Sequence, residues 1–371
     1  MAKREKAEKG DARLDAMLAE ISKDLKCTIS TIRNHPIEAV ERISSGSMCL
    51  DLAMGGGWAR GRIHEVYGPE QSGKTSLALF AIAQAQKQGL NAAFLDVEHT
   101  FDPTFAQKLG VDTQSLAISQ PDYGEQCLQL LQKLVATNKF GIIAIDSIAG
   151  LIPKKELEGD IGDNHMGLQA RMLGQAIRML VPSVHSSGTA VIFINQLRMK
   201  LGVMFSNPET TPGGLALKFF STIRLDARRA SNTESPSVED PVTKYALGHG
   251  IRVKVVKNKI FPAYRKAIVP ILYDSGIRYA EDIASALIIT GIAKAERGGF
   301  SWTDVNIMPK NLVDINTWEM LYSSLVDQTN RDAICSLIRN TITQQSPSMP
   351  LAEKDEAPDY EKAEKETIES K

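Results

Sequence analysis

The sequence is poor in cysteine, and the few cysteines that it has are scattered. Cys27, Cys49, Cys127 and Cys335 include no C-x-x-C pair. A disulfide framework and a cysteine zinc site are therefore not indicated. Scattered cysteines of this kind are typical of a reducing compartment, so we expect the protein to be cytoplasmic.

Long hydrophobic runs are missing as well. The longest nearly apolar stretch, 283–293, has about 11 residues, whereas a helix needs about 20 to cross a bilayer. The first residues, MAKREKAEKGDARLD, have no apolar centre, so we expect no secretory signal there.

The chain also has almost no net charge, with 43 Lys and Arg against 44 Asp and Glu. This balance excludes a basic footprint over the whole protein and, by itself, argues against a nucleic-acid partner. A sum hides where charges lie, so that inference stays open. Hydrophobic residues make up 43% and charged residues 23% of the 371 residues, which excludes a wholly disordered or fibrous chain. The length predicts one large domain with one or two small ones.

Short apolar runs alternate with longer helical segments from about residue 60. Strands are predicted at 63–67, 92–96, 141–145 and 190–194, with helices at 74–88, 124–136 and 166–186. Further strands are predicted at 221–226, 251–256 and 266–273. Apolar strands separated by helices indicate an α/β fold with a mostly parallel sheet covered on both faces.

The two ends of the chain differ from this middle part. Residues 3–26 are mostly charged but carry one apolar helical stripe, formed by Leu14, Met17, Leu18, Ile21 and Leu25. Such a stripe packs either on the chain's own body or on another subunit. Residues 353–371 hold eight acids and four lysines, which predicts a disordered acidic tail.

From about residue 279 the pattern becomes mixed, with helices predicted at 283–292, 318–326 and 331–341. We therefore expect four regions. They are an N-terminal helical arm (1–35), an α/β core (36–278), a small α+β C-terminal domain (279–340) and the tail (341–371).

A phosphate-binding pattern, G-x-x-x-x-G-K-[ST], occurs at 68–75, after a predicted strand and before a predicted helix. Glycines in this setting turn backbone N–H groups toward phosphates, and the helix N-terminus favours negative charge. Lys74 is expected to reach the β- and γ-phosphates, and Thr75 to place its hydroxyl on Mg²⁺. The pattern therefore predicts ATP and Mg²⁺ as cofactors.

Polar side chains follow three further predicted strands. Asp146 fits the second carboxylate on the metal side, or it caps a turn. Glu98 is a candidate for orienting the attacking water, with Asp96 as its rival, or it is a local helix cap. Gln196 can sense a γ-phosphate through its amide, or it is a turn residue. Ligands of parallel sheets bind beyond the carboxyl ends of strands, which is where these residues are predicted.

These motifs, in this order, make the chain similar to the bacterial RecA recombinase family. The resemblance covers roughly residues 35–340. It is carried by GPEQSGKT (68–75), DVEH (96–99), IDS (145–147), EGDIGDNHMGLQARM (158–172), INQLRMKLGVMFSNPETTPGGLALKF (194–219) and RVKVVKNKI (252–260).

The resemblance implies a RecA-type P-loop ATPase core and a DNA-dependent ATPase. Such a protein forms helical filaments on single-stranded DNA, pairs it with homologous duplex DNA and exchanges strands in recombinational repair. The same resemblance leaves room for a co-protease role toward a self-cleaving repressor in an SOS-type response.

Residue roles follow from the resemblance in the same way. Glu98 resembles the family's catalytic glutamate, and Gln196 its γ-phosphate-sensing glutamine. Nucleotide contacts are implied at Gly68, Pro69, Glu70, Gln71, Ser72, Gly73, Lys74, Thr75, Ser76, Asp102, Phe105 and Asp146, with the metal at Thr75 and Asp146. Lys257 and Lys259 resemble lysines that reach the ATP of the neighbouring subunit, beside Phe219 at that interface.

Two segments, 158–166 and 196–213, resemble the family's DNA-binding loops. The implied DNA contacts in and around them are Met166, Arg171, Arg178, Arg198, Met199, Leu201, Gly213 and Gly214. Apolar Met199 and Leu201 suit wedging between bases, although packing in a core would also explain them.

The charge pattern agrees with an anionic partner. Residues 241–273 hold seven Lys and Arg and no acid. Such a run faces phosphates, a neighbour's acids or, alternatively, only solvent. The positive charge that the whole-chain sum hides is therefore concentrated in this segment.

Some positions depart from the family's pattern. Phe105 stands where many members have a tyrosine, so a hydroxyl contact is lost and stacking remains. Gln71 replaces a small residue in the phosphate loop, and Pro212 is expected to stiffen the second DNA loop. Lysines in the tail put a tail-based inhibition of DNA access in doubt.

Two other functions stay open at this stage. A hexameric P-loop helicase or clock-type ATPase shares the core, but the segment 158–172 argues against it. A filament that only binds DNA or promotes cleavage of a partner needs no catalytic set. The presence of Lys74, Thr75, Glu98 and Asp146 argues against that alternative.

Overall fold

The computed structural model describes residues 2–27, 29, 31, 40–160, 167–199, 209–235, 237–240, 243–297 and 299–344. Three predictions lie outside these residues: the DNA contacts at Met166 and Leu201, and the disorder of the acidic tail from residue 345 onward. Among the described residues, no helix combines the length and the apolar character needed to cross a membrane.

The helices within the described residues are α1 (Ala2–Leu25), α2 (Met48–Met54), α3 (Lys74–Lys87), α4 (Pro103–Lys108), α5 (Gly124–Ala136), α6 (Lys154–Leu157), α7 (Leu168–Ser187), α8 (Ala216–Phe220), α9 (Tyr279–Ile289), α10 (Trp318–Ser324) and α11 (Gln328–Gln344). Short 3₁₀ turns occur at Ile148–Gly150 and Val305–Ile307.

The strands within the same residues are β1 (Arg42–Ile43), β2 (Trp58–Ala59), β3 (Ile63–Gly68), β4 (Asn91–Asp96), β5 (Ala117–Ser119), β6 (Phe140–Asp146), β7 (Ala190–Gln196), β8 (Arg198–Met199), β9 (Glu209–Thr210), β10 (Ile223–Arg229), β11 (Val238–Glu239), β12 (Ala246–Asn258), β13 (Lys266–Leu272), β14 (Gly276–Ile277), β15 (Ala293–Glu296) and β16 (Gly299–Trp302).

The central sheet has the strand order β14-β13-β12-β10-β3-β7-β6-β4-β5, with β11 added beside β12. The six strands from β10 to β5 in this order run parallel, and β11 to β14 are antiparallel at one edge. The prediction of an α/β fold with a mostly parallel sheet is confirmed. The basic segment 243–273 lies largely on the antiparallel edge strands.

Two helical layers bury the faces of this sheet. Along β6, Ile142 and Ala144 face the layer that contains α3, while Ile143 and Ile145 face α5 and α7. A strand that is buried on both faces is a continuous apolar run in the sequence. The positions of these strands could therefore be predicted from the sequence. The layers also fix where each strand ends, and the polar residues described below lie at those ends.

The described residues up to Glu41 form one compact unit. Helix α1 runs from Ala2 to Leu25, close to the predicted 3–26. Its apolar stripe is not buried: Leu14, Met17 and Leu25 are exposed, and Leu18 and Ile21 are half-buried. The surface that covers this stripe stays a prediction.

A buried carboxylate joins α9 to α2 in the second unit, residues 42–344. Asp282 accepts hydrogen bonds from Ser47 Oγ at 2.6 Å and from the backbone nitrogen of Met48 at 2.5 Å. Burial raises the pKa of Asp282 to about 6. The carboxylate caps the N-terminus of α2 from a position far along the chain.

Candidate active site

The phosphate-loop pattern forms a tight turn between β3 and α3. An added Cβ on Gly68 would lie 1.9 Å from Ala227 O, and one on Gly73, whose φ is +83°, would lie 2.3 Å from Ile251 Cδ1. Both positions therefore require glycine, since any side chain would collide with β10 or β12. Ser72 Oγ donates to Pro69 O at 2.8 Å and closes the loop.

Lys74 and Thr75 begin α3 directly behind this turn. Lys74 Nζ donates to Pro69 O at 2.6 Å, which holds the ammonium over the loop. Burial lowers the pKa of Lys74, and the carboxylates of Asp146, Glu98 and Glu70 oppose this shift. The ammonium of Lys74 thus adds positive charge to the N-terminus of α3, and both features favour the binding of an anion at the loop.

Asp146, the last residue of β6, accepts a hydrogen bond from Thr75 Oγ1 at 2.6 Å. Burial is the main cause that raises the pKa of Asp146 to about 6, and the hydrogen bond from Thr75 opposes it. A hydroxyl and a buried carboxylate therefore lie side by side at the end of the sheet. A buried carboxylate whose burial is only partly offset by Thr75 and Lys74 favours a further nearby cation.

Glu98 and Gln196 meet at the same edge of the sheet. Gln196 Nε2 donates to Glu98 Oε1 at 2.9 Å, and the hydroxyl of Ser147 donates to the same oxygen. Gln196 is paired with Gly68 in the register of β7 and β3, so the amide is anchored beside the phosphate loop. The sequence placed these residues at strand ends, and the register brings them together.

Asp96, the alternative candidate to Glu98, has a structural role. It is fully buried and accepts from the backbone nitrogens of Thr100 and Phe101 at 3.2 and 3.0 Å. Gln120 Nε2 also donates to it at 2.9 Å. Asp96 therefore stabilises the loop that presents Glu98, whereas Glu98 itself is exposed.

A cavity of about 240 Å³ lies beside the phosphate loop. Phe105 and Tyr273 line it together with loop residues from Gln71 to Ser76. His249 is also in the wall, and its Nδ1 lies 3.0 Å from the hydroxyl of Tyr273. Two aromatic rings next to a phosphate loop can sandwich or flank a base.

The other predicted nucleotide contacts lie near this cavity or on the loop surface. Asp102 caps α4 by accepting from the backbone nitrogen of Thr104 at 2.7 Å, which sets the orientation of the helix that carries Phe105. Pro69, Glu70 and Gln71 are exposed.

The arginines of the first predicted DNA surface lie on α7. Arg171 and Arg178 are exposed and seven residues apart, so they share one face of the helix about 10 Å apart along its axis. Of the loop that precedes α7, the structure describes residues up to 160 and from 167.

The second predicted DNA loop has a described stem on each side. Arg198 and Met199 are exposed and pair as β8 with β9. Glu209, in β9, forms an ion pair with Arg228 of β10 at 2.5 Å. Added Cβ atoms on Gly213 and Gly214 would lie 2.6 Å from Leu173 Cδ2 and 2.9 Å from Ala170 Cβ, so the loop returns in close contact with α7.

Lys257 and Lys259 lie at the end of α8, next to Phe219. Lys257 Nζ donates to the carbonyls of Lys218 and Phe219 at 2.5 and 2.9 Å, and Lys259 Nζ donates to Phe219 O at 3.0 Å. Burial and the neighbouring Lys259 lower the pKa of Lys257 to about 8. The side chain of Phe219 is 66% exposed, which leaves it accessible to another chain.

Sequence reasoning missed several residues that hold this arrangement. Ser147 follows Asp146 directly. A hydroxyl residue immediately after an acid that ends a strand is the sequence feature that could have indicated it. Asn195 precedes Gln196, and its Oδ1 accepts from the Gln196 backbone nitrogen at 2.9 Å. Glu65 and Arg224 gave no local signal, because their pairing depends on the strand order.

Comparisons with known proteins place the chain in a family. The family model described as RecA N-terminal domain matches residues 12–278. The Protein RecA of Corynebacterium efficiens is 48% identical over 301 residues, covering 80% of this chain and 76% of that protein. The Protein RecA of Bacillus anthracis is 51% identical over 283 residues, covering 75% of this chain and 80% of that protein.

The family match includes every strand of the central sheet and the whole site described above. The expected resemblance is therefore confirmed. The nucleotide-binding loop, the strand-end carboxylates and these comparisons lead to one conclusion: the chain belongs to the RecA family of DNA-dependent ATPases and recombinases.

Proposed function

We propose that this recombinase hydrolyses ATP, with Mg²⁺, at the edge of the sheet where the phosphate loop, Asp146, Glu98 and Gln196 meet. The observation that carries the proposal is the contact between Gln196 Nε2 and Glu98 Oε1 at 2.9 Å, next to the contact between Thr75 and Asp146 at 2.6 Å. The phosphate loop, the carboxylate of Glu98 that orients the water and the amide of Gln196 that senses the γ-phosphate thus occupy one site.

The donor set at Thr75 and Asp146 fits Mg²⁺. This cation prefers oxygen ligands and usually takes only one or two from the protein, with the rest from phosphates and water. Within the described part of the chain, no cluster of three or more His, Cys, Asp or Glu side chains is suited to a metal. When bound, the cation neutralises charge on the phosphate oxygens.

The side chains around this position have separate tasks. Lys74 leaves the carbonyl of Pro69 to contact the β- and γ-phosphates. Glu98 holds the attacking water and accepts its proton, while Ser147 and Gln196 fix the carboxylate through Oε1. Gln196 also contacts the γ-phosphate, so its position depends on whether ATP or ADP is bound.

Gln196 begins the second DNA loop, which links the nucleotide to DNA. Single-stranded DNA contacts Arg171 and Arg178 on α7, Arg198 and Met199, and the backbone at Gly213 and Gly214. Met166 and Leu201, outside the described residues, belong to the same proposed surface. Phosphate contacts from the arginines supply affinity, and apolar contacts separate bases.

Lys257 and Lys259 act on the ATP of the neighbouring subunit, and Phe219 packs across that interface. Cations supplied in trans stabilise the charge of the phosphoryl-transfer transition state as an arginine finger does. This head-to-tail contact produces a helical filament rather than a closed dimer. The arm at 1–35 docks on the next subunit, the core spans 36–278, and the domain at 279–340 precedes the tail. The filament works in the cytoplasm.

The test is the Lys74→Ala chain, with Lys87→Ala as its matched control at the exposed end of the same helix. Lys74→Ala should lose single-strand-stimulated ATP hydrolysis and strand exchange together, and Lys87→Ala should keep both. Electron microscopy of the wild type with single-stranded DNA and a non-hydrolysable ATP analogue should show extended helical filaments. Undiminished exchange by Lys74→Ala, or closed rings in the images, would overturn the proposal.

A further inference from the structure

Glu65 is a buried carboxylate in the middle of β3, between β7 and β10. Its side chain has no solvent exposure. Glu65 Oε1 accepts from Asn195 Nδ2 at 2.8 Å, and Oε2 accepts from Arg224 Nε at 2.5 Å. Burying a charge is costly unless it is paired and hydrogen-bonded, and here each oxygen is satisfied by a different neighbouring strand.

The Asn195 side of this pair leads to the second DNA loop. Asn195 Nδ2 also donates to Pro212 O at 3.2 Å, and its Oδ1 accepts from the backbone nitrogen of Gln196. One amide therefore contacts the residue where the loop begins and the residue where it returns. A displacement of either end changes the hydrogen bond that Asn195 makes with Glu65.

The Arg224 side leads to the two lysines. Arg224 is the register partner of Lys257 in the antiparallel pair β10–β12, and its guanidinium lies 4.9 Å from the ring centre of Tyr67. The ammonium groups of Lys257 and Lys259 are bound to carbonyls at the end of α8. Helix α8 itself follows Gly214 after one residue, so the loop continues into the helix whose end the two lysines contact.

We propose that Glu65 is a positioning residue that couples the second DNA loop to Lys257 and Lys259. This inference rests on the proposed function, because it assumes that the loop binds DNA and that the lysines act on the neighbour's ATP. Glu65 touches neither partner. It holds Asn195 and Arg224 in one arrangement, so that a displacement of the loop's ends at Gln196 and Pro212 by DNA moves the lysines from their carbonyls toward the adjacent subunit.

The first experiment measures ATP hydrolysis by Glu65→Gln with and without single-stranded oligothymidine. The variant keeps the size of the side chain and removes its charge. The ratio of DNA-stimulated to basal rate should fall about tenfold, through kcat, while KM for ATP and affinity for a non-hydrolysable ATP analogue change by less than about twofold. An equal fall of both rates, or a loss of analogue affinity, would mean that Glu65 only supports the fold.

The matched control is Asp282→Asn, which neutralises another buried carboxylate in the second unit, at α2. It should leave the ratio of stimulated to basal rate unchanged, whichever way it changes thermal stability. If Glu65→Gln does not fold, Asn195→Ala carries the test, since it removes the link to Pro212 and leaves the Glu65–Arg224 ion pair in place. The same fall in ratio is then expected, and an unchanged ratio rejects the coupling.

A double-mutant cycle identifies the route. If Glu65 acts through the lysines, Glu65→Gln should cause a smaller loss of stimulated kcat in a Lys259→Met background, which keeps Lys257, than in the wild type. Additive losses would contradict that route. A wild-type chain without any stimulation by DNA would defeat the proposed function, whereas a stimulated wild type with an equally stimulated Glu65→Gln would defeat only the coupling.

Discussion

Gln196 and Glu98 are joined by a hydrogen bond of 2.9 Å although their strands are not neighbours in the sheet. Gln196 ends β7 and Glu98 follows β4, and β6 lies between them. The two side chains therefore bridge over the end of β6, directly above Ser147, whose hydroxyl donates to the same carboxylate oxygen. A change in the position of the Gln196 side chain therefore alters its hydrogen bond with Glu98 without any movement of the sheet.

Glu98→Gln should separate hydrolysis from binding. The amide is a poor proton acceptor, so we expect hydrolysis to fall about 100- to 10,000-fold while nucleotide affinity and filament formation persist. Steady-state ATPase and a filter-binding assay with single-stranded DNA measure the two properties. Asp96→Asn is the control for a merely structural acid and should lower thermal stability instead. Hydrolysis at the wild-type rate by Glu98→Gln would point to another base.

Asp146→Asn should stabilise the nucleotide-free protein at neutral pH. The folded-state pKa of Asp146 is raised to about 6 from an ordinary 3.8, so the folded protein binds its proton more tightly than the unfolded chain does. The stability that this proton contributes is present below pH 4 and is lost as the pH rises through 6. The ionised group then costs about 3 kcal/mol at pH 7.

Denaturant unfolding of both proteins between pH 5 and pH 8 checks this expectation. The advantage of Asp146→Asn should shrink from about 3 kcal/mol at pH 7 to about half of that at pH 5. Adding ATP and Mg²⁺ should stabilise the wild type more than the variant. A variant that is less stable at pH 7, or a difference that does not vary with pH, would contradict the assignment.

Mixing two inactive chains should restore hydrolysis if the lysines act in trans. Lys74→Ala subunits supply intact Lys257 and Lys259, and Lys257→Ala subunits supply an intact phosphate loop. In a filament that contains equal amounts of the two chains in random order, about a quarter of all subunit interfaces then pair an intact phosphate loop with intact lysines. DNA-stimulated ATPase of the mixture measures the effect. If the lysines served their own subunit, the mixture would stay as inactive as each chain alone.

Gly213→Ala should weaken the return of the second DNA loop. Gly213 has φ +84°, and its added methyl group would lie 2.6 Å from Leu173 Cδ2. A left-handed backbone alone costs a residue with a side chain about 1–2 kcal/mol, and the contact with Leu173 adds to this. We expect a lower melting temperature and weaker binding of single-stranded DNA. Gly89→Ala, also at positive φ but with open space around its Cβ position, is the control and should affect stability only.

Phe105→Ala should raise KM for ATP, because it removes one wall of the cavity beside the phosphate loop. Loss of an aromatic contact with a base costs about 1–3 kcal/mol, hence about 5- to 150-fold in affinity. Phe105→Tyr, which restores the hydroxyl that many family members have, should bind ATP at least as tightly as the wild type. Equal KM values for all three proteins would remove Phe105 from the nucleotide site.

The strands and the phosphate loop were predictable because their signals are local. Buried strands such as β6 are continuous apolar runs, and the turn at Gly68–Thr75 has a fixed spacing. The ends of neighbouring strands gave Asp146, Glu98 and Gln196 as candidates. Whole-chain charge did not predict the partner, since the sum hides the segment 241–273, which holds seven Lys and Arg and no acid.

Other parts of the site depend on strand order, which the sequence does not encode locally. Glu65 meets Asn195 and Arg224 only because β3 lies between β7 and β10. The choice between Asp96 and Glu98 as the exposed acid likewise required the loop at 97–101, where Asp96 binds two backbone nitrogens. Short elements such as α4 and β5 have too few residues to show a period.

The cap that Asp282 places on α2 also limits the order in which the chain can fold during synthesis. Ser47 leaves the ribosome 235 residues before its partner. Until Asp282 is made, the first turn of α2 lacks this buried carboxylate and has only the cap that Ser47 Oγ provides by accepting from the backbone nitrogen of Leu50. A polypeptide that ends at residue 278 would stay in this condition, so the segment after the sheet is required to complete the beginning of the fold.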